Sequence, residues 1–321
     1  MLYNIAAIIA GFLLLIWSAD RFISGAAATA NNFNVSPLII GLTIVGFGTS
    51  APEMLVAAIA AANASPGLAI GNAIGSNIAN ITLVLGTAAL IMPMNVHSRI
   101  LRRELPLLIM AMLLMLLLIQ DRHLGRVDGM ILISSVLLLL WWLTREALSN
   151  QAADPMYDEF KNELPKPTST RLAVFWLVAG LVMLLISSKI LVWGAVRIAT
   201  EFGVSDLLIG LTIIAIGTSL PELATSIAGA MKQEHDIAIG NVVGSNMFNS
   251  LAVMGIPGLI YPSTLDAGVL DRDVPAVFVL TLALVIMAYG FKGHGRINRI
   301  EGAILLACFA GYQVLLLYTE L

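Results

Sequence analysis

The chain has 321 residues, of which 59% are hydrophobic and only 12% are charged, about half the charged share of a soluble domain. Such a composition excludes a soluble enzyme, and a net charge of −3 offers no basic surface that would suggest a nucleic-acid partner. It is the composition of an integral membrane protein, expected to be all-α because helices satisfy their own backbone in lipid.

Apolar runs of bilayer length, roughly 17–25 residues, fall at about 2–19, 36–62, 67–93, 104–120, 128–144, 172–192, 205–230, 236–260, 273–291 and 300–319. Ten spans are therefore expected. The first lacks a basic leader and a small-residue cleavage site, so it reads as a permanent helix. Asp20 and Lys189 lie near equivalent span ends, where interfacial solvation or snorkelling accounts for them; gating or pairing is the alternative. Of the 17 Lys and Arg, 12 follow odd-numbered spans and five lie on the opposite side. Arg99, Arg102 and Arg103 form the densest topology signal. The positive-inside rule then puts both termini outside the cytoplasm and the loop at about 146–171 inside. Within that loop Asp154, Asp158, Glu159 and Glu163 lack the ligand order of an EF-hand and read as a solvated linker. Cys308, the single cysteine, excludes an intrachain disulfide.

A shift of 169 positions lays Val35–Asn80 on Val204–Asn249 without a gap, with 22 of 46 residues identical. The chain is thus a duplication: residues 1–145 and 172–321 form two halves, joined by a linker at 146–171. Five spans per half force the second copy to enter from the opposite side, which makes the halves inverted five-helix repeats. Such folds put the substrate site near the bilayer midplane, where interrupted helices meet.

The interruptions are "GFGTSAPE" at Gly46–Glu53 and "AIGTSLPE" at Ala215–Glu222. Proline in a helix interior lacks an N–H and displaces the carbonyl four residues back. Pro52 is therefore expected to free the Gly48 carbonyl, and Pro221 that of Gly217. Thr49 and Ser50 share a helix face with Glu53, as Thr218 and Ser219 do with Glu222. In the following spans Asn72, Ser76 and Asn80, and their mates Asn241, Ser245 and Asn249, recur at i, i+4 and i+8 as a polar stripe. Gly71/Gly75 and Gly240/Gly244 beside it allow close helix packing. An ionised glutamate at the bilayer centre costs roughly 2.5–3.5 kcal/mol or more unless paired. Two such glutamates among hydroxyls, amides and carbonyls make an all-oxygen set, suited to a hard cation such as Ca²⁺ and lacking the His or Cys of a softer-metal site.

These motifs, "GTSAPE" with "GNAIGSNIAN" and "GTSLPE" with "GNVVGSNMFN", resemble the two alpha-repeats (35–80 and 204–249) of the sodium/calcium exchanger family in the cation/calcium antiporter superfamily, with a bacterial inner-membrane member the nearest in kind. The resemblance implies a secondary antiporter exchanging Ca²⁺ for Na⁺ by alternating access. It implies that Glu53 and Glu222 are the central carboxylates and that Thr49 and Thr218 add oxygens. Ser50, Ser76, Ser219 and Ser245 would flank them, with the carbonyls of Gly46 and Ala215, and Asn80 and Asn249 beside the centre. Some relatives carry aspartate at the Asn249 position. Its absence here leaves stoichiometry and coupling ion open, with Ca²⁺/H⁺ or K⁺-involving exchange as the alternative. The implied partners are Ca²⁺, Na⁺ and the bilayer, with no cofactor, and one chain suffices for transport. An intramembrane hydrolase is disfavoured because the motif spans lack a histidine base, and a channel because a single carboxylate pair is not a multi-site path.

Overall fold

The computed structural model describes residues 2–33, 46–96, 99–149, 169–289 and 295–320. The acidic residues of the central linker, and the first eleven residues of the first repeat motif, lie outside that set. The helices in chain order are α1 (Leu2–Asn32), α2 (Gly46–Thr49), α3 (Ala51–Ala62), α4 (Pro66–Ile91), α5 (Arg99–Ile119), α6 (Arg126–Ser149), α7 (Thr170–Phe202), α8 (Asp206–Thr218), α9 (Leu220–Met231), α10 (His235–Ile260), α11 (Val274–Tyr289) and α12 (Arg299–Glu320). Four two-residue strands join them: β1 (Met94–Asn95), β2 (His123–Leu124), β3 (Ser263–Thr264) and β4 (Arg296–Ile297).

Five of these helices, α1, α4, α7, α10 and α12, are each long and apolar enough to cross a bilayer. A sixth span is the pair α8–α9, bent by 40°. Helix α3, at 12 residues, is too short to do so alone, whereas α11 continues without a break from a π turn at Val269–Asp273. Burial sorts the long helices into layers. The apolar windows of α4 and α10 are 78% and 89% buried, whereas those of α1 and α7 are 28% buried. The central pair is thus sheathed by helices whose apolar side chains, among them Leu13, Val178 and Val182, point outward.

Helices α1 and α7 run well past the ends expected from hydropathy, to Asn32 and Phe202. Packing of small residues extends them. Gly11 meets Leu191, Phe22 meets Gly180, Gly25 meets Leu177 and Ile8 meets Gly194, so α1 and α7 lie antiparallel with their repeat-equivalent glycines interlocked. A Cβ at Gly25 would sit 2.4 Å from the Leu177 backbone nitrogen. The ends are set locally. Ser169 caps α7 by accepting the Leu172 N–H, and Gly203, at φ +64°, terminates it in the left-handed conformation.

The two halves repeat each other down to their turns. Ala64 (φ 58°) and Gln233 (φ 65°) occupy the same left-handed position after α3 and α9. The turns close through Ser65 N–H to Ala60 O at 3.0 Å and Glu234 N–H to Gly229 O at 2.8 Å, the six-to-one bond of a Schellman cap. The strands tie the halves together: β1 pairs antiparallel with β4, and β2 with β3.

The central helices touch at glycine. A Cβ at Gly71 would lie 2.5 Å from the Leu207 carbonyl oxygen, and one at Gly75 would lie 2.8 Å from the Leu211 Cα. The expected close approach therefore holds for the first stripe. Overpacking of this kind typically costs about 1–3 kcal/mol, so Gly71→Ala is expected to lower the apparent melting temperature of detergent-solubilised protein by several degrees. An unchanged melting temperature would show that the α4–α8 contact gives way without strain.

Candidate ion-binding site

Both broken helices follow one design. α2 ends at Thr49, Ser50 forms the joint (φ −84°, ψ −1°), and α3 starts at Ala51. Likewise α8 ends at Thr218, Ser219 forms the joint (φ −81°, ψ 3°), and α9 starts at Leu220. Pro52 and Pro221 sit in the first turn of the new helices, where the missing N–H has no intrahelical acceptor to leave unpaired. This corrects the expectation of a kink inside one continuous helix. It also changes the fate of the freed carbonyl: Gly217 O accepts a backbone N–H within the C-cap turn, because the chain tightens there. The break places Glu53 and Glu222 in the first turns of α3 and α9, at the positive ends of the helix dipoles.

The opposing wall comes from α4 and α10. In each, a π turn begins at the last residue of the polar stripe, Asn80–Val84 and Asn249–Val253. Such bulges concentrate at functional sites because they turn polar groups out of the regular ladder.

Glu53, Glu222, Thr49, Thr218, Ser50, Ser219, Ser76, Ser245, Asn80 and Asn249 are all buried, at 0–1% exposure. Hydrogen bonds cross between the repeats in mirrored sets. Thr49 Oγ1 donates to Asn241 Oδ1 at 3.2 Å and lies 3.4 Å from Ser245 Oγ. Thr218 Oγ1 donates to Asn72 Oδ1 at 3.0 Å and lies 3.4 Å from Ser76 Oγ. Asn72 and Asn241 each donate to a backbone carbonyl, those of Glu53 (3.1 Å) and Glu222 (3.4 Å) respectively. Ser245 Oγ donates to Glu222 Oε1 at 3.3 Å.

What distinguishes the site is its surplus of acceptors. Both oxygens of Glu53, Oε2 of Glu222, the hydroxyls of Ser50 and Ser219, Oδ1 of Asn80 and both side-chain atoms of Asn249 are buried without a hydrogen-bond partner. Buried polar atoms are paired in most proteins, and these seven oxygens and one nitrogen make an oxygen-rich donor set of the kind a hard cation takes. The Ala215 carbonyl is engaged within its helix, accepting the Ser219 N–H at 3.1 Å and the Thr218 hydroxyl at 3.4 Å. Of Gly46, the structure gives its place as the first residue of α2.

Sequence reasoning missed a second polar layer. Asn77 Nδ2 donates to Ser250 Oγ at 3.0 Å, Asn80 Nδ2 to Asn246 Oδ1 at 3.1 Å, and Asn246 Nδ2 to the Asn77 carbonyl at 3.4 Å. Asn77 and Asn246 are repeat mates in the "GSN" of each motif, and their position next to the stripe was the available signal. A buried acid at equivalent helix starts was missed as well. Glu104 and Asp273 are 169 apart and both buried, and Asp273 accepts from Tyr312 at 2.9 Å and from Arg272 at 2.6 Å. The matching "LRRELP" and "LDRDVP" runs carried that signal.

The profile of the sodium/calcium exchanger protein family matches residues 3–145 and 172–318. This chain belongs to the sodium/calcium exchanger family. A protein of Alkalimonas amylolytica that carries the name antiporter CaxA is 50% identical over 98% of this chain and 99% of its own. Inner membrane protein YrbG of Escherichia coli (strain K12) is 41% identical over 90% of each chain. The solved sodium-calcium exchanger NCX_Mj superposes with a TM-score of 0.67 at 29% identity, covering 98% of both chains. As a family member the protein is a membrane antiporter and not an enzyme.

Two buried carboxylates with unpaired oxygens cost the ion-free fold stability. Glu53→Gln is expected to raise the apparent melting temperature of the ion-free exchanger by a few degrees, about 1–3 kcal/mol on the scale of an unsatisfied buried group. A drop in melting temperature would mean that the Glu53 charge stabilises the empty site.

Proposed function

We propose that this exchanger moves Ca²⁺ against Na⁺ by alternating access at a midplane site centred on Glu53 and Glu222. Thr49, Thr218, Ser50, Ser219, Ser76, Ser245, Asn80 and Asn249 complete it with the carbonyls of Gly46 and Ala215. The observation that carries this reading is the set of seven unpartnered buried oxygens, three of them on the two carboxylates and four on Ser50, Ser219, Asn80 and Asn249. The architecture is proposed as ten spans in two inverted five-helix repeats, 1–145 and 172–321, linked by 146–171. Support comes from the antiparallel pairing of the repeat-equivalent α1 and α7 and from the strands. β1 and β4 lie in connections after the third and ninth spans, β2 and β3 in those after the fourth and eighth, so each pair shares one membrane face, as ten crossings require. The basic-residue bias puts both termini outside, and likeness to YrbG favours a bacterial inner membrane.

Charge balance supplies the mechanism. One Ca²⁺ offsets both glutamates, and Na⁺ ions do the same in steps. Either load lowers the cost of occluding the site, whereas an empty pair of repelling carboxylates resists it. Exchange, rather than leak, follows from that difference. The second reading, Ca²⁺/H⁺ exchange, is favoured by Asn80 and Asn249: with no third carboxylate, two protons neutralise the site as fully as one Ca²⁺.

Protein reconstituted into Na⁺-loaded vesicles is expected to take up ⁴⁵Ca²⁺ only with an outward Na⁺ gradient. Glu53→Gln and Glu222→Gln should each reduce uptake about 100-fold or more, the scale of losing a transition-gating charge. Uptake that tracks a pH gradient instead selects the second reading. Persistent uptake in both variants would exclude the paired-glutamate site.

A further inference from the structure

Asp20 and its repeat mate Lys189 are not at span ends. In the closest contact of each of Gly11, Gly25, Gly180 and Gly194 across α1 and α7 the two residue numbers total 202, as in Gly11–Leu191 and Gly25–Leu177. The centre of the antiparallel pair therefore falls between residues 16 and 17 of α1. Asp20 is about 5 Å along the axis from that centre at 1.5 Å per residue, and Lys189 mirrors it on the other side. An inverted repeat has its two-fold in the membrane midplane, so both charges lie deep in the bilayer. A charge at that depth is tolerated where it faces water.

An open cavity, part of whose wall is the apolar Leu13, Ile16 and Ile23, is what the structure offers Asp20. This cavity, of about 500 Å³, opens between α1 and the start of α9, lined by Trp17, Asp20, Thr49, Pro221, Ala224 and Thr225 among others. The Asp20 side chain is 68% exposed, whereas Thr49 at the inner wall is 1% exposed and touches Ser245, the donor to Glu222. Arg21 Nε is 3.9 Å from the Asp20 carboxylate. Its guanidinium is held over Trp17 and Trp176, at 6.0 and 5.1 Å from the ring centres. An open pair at that distance compensates Asp20 only in part.

We propose that Asp20 is a cation waypoint on the path to the binding site, and that Lys189 makes the mirrored path electrostatically unlike it, giving the exchanger different apparent cation affinities on its two faces. The inference rests on the proposed exchange site. Because α9 is the half of the bent span that ends on the cytoplasmic side in the proposed topology, the Asp20 path serves the cytoplasmic face. A carboxylate in a low-dielectric cleft raises the local concentration of cations, and does so less as salt increases.

The test uses the full chain in inside-out and right-side-out membrane vesicles, reading initial gradient-driven ⁴⁵Ca²⁺ uptake against external Ca²⁺ at low and high ionic strength. For Asp20→Asn, the Ca²⁺ KM in inside-out vesicles is expected to rise about three- to tenfold at low salt, with the saturating rate retained and the effect shrinking at high salt. KM in right-side-out vesicles should not move for Asp20→Asn and should fall for Lys189→Gln. Equal KM changes on both faces, or a lost saturating rate with KM unmoved, would overturn the proposal. A parent protein without gradient-driven uptake would defeat the exchange reading itself, and a labelling measurement then decides about Asp20. With Cys308→Ser and Ala224→Cys in place, a cationic methanethiosulfonate should react faster than an anionic one, and Asp20→Asn should lower that ratio about threefold or more. An unchanged ratio would remove Asp20 from the path.

Discussion

Two carboxylates buried against each other constrain everything else in this fold. Among the described residues neither Glu53 nor Glu222 forms an ion pair, and the side chains that reach them are hydroxyls, with Ser245 donating to Glu222 at 3.3 Å. Such a pair is costly in a low-dielectric interior, and the surrounding architecture reads as compensation. Each helix breaks just before its glutamate, so the carboxylate meets the free N–H end of a new helix and not the ladder of an old one. The nearby amides of Asn72 and Asn241 spend their N–H groups on the glutamate backbones. That fixes the side chains in place but leaves their oxygens unpaired. A site rich in acceptors and poor in donors is unsatisfied until a cation or protons fill it, which is the property a carrier of positive charge needs.

The duplication explains how so exposed a weakness is held. Thr49 and Thr218 reach across to the stripe of the opposite repeat, so neither half can form its part of the site alone. The glycine contacts of α4 with α8 bring the backbones close enough for these short side chains to meet. Asn77, Asn80, Asn246 and Ser250 add a second layer of amide and hydroxyl bonds just beyond. Around this polar centre the long helices α1 and α7 pack on each other through small residues and give their apolar faces to lipid.

The chemistry of the site was legible in the sequence because it is carried by residue type. Acid, hydroxyl and amide in an apolar run cannot be explained by packing, and the 169-residue repeat marked both copies. Geometry was less legible. Pro52 and Pro221 read as kinks, because sequence alone does not say whether a proline is inside a helix or at the start of a new one. The true lengths of α1 and α7 were hidden because hydropathy falls at Asp20 and Lys189, while the glycine and alanine packing that sustains the helices scores weakly on any apolar scale. The contacts between α1 and α7, which set the register of the pair, are likewise invisible to hydropathy. The bond of Asp273 with Tyr312 was beyond reach for a related reason, since it joins helices that no local pattern pairs.

A perfectly symmetric inverted repeat would present the same site and the same path to both faces, so sidedness must arise where the copies differ. The aligned repeats share 22 of 46 residues, and some of the differences fall beside the two glutamates. Glu222 accepts a hydroxyl from Ser245 at 3.3 Å, whereas the mate Ser76 turns to Asn72 and Thr218. Asp20 against Lys189 adds a difference of two unit charges at mirrored depth. The α1–α7 glycine contacts and the strand pairs that hold the halves together persist beside these departures. The scaffold can therefore stay two-fold while its electrostatics do not, and a symmetric fold acquires an inside and an outside.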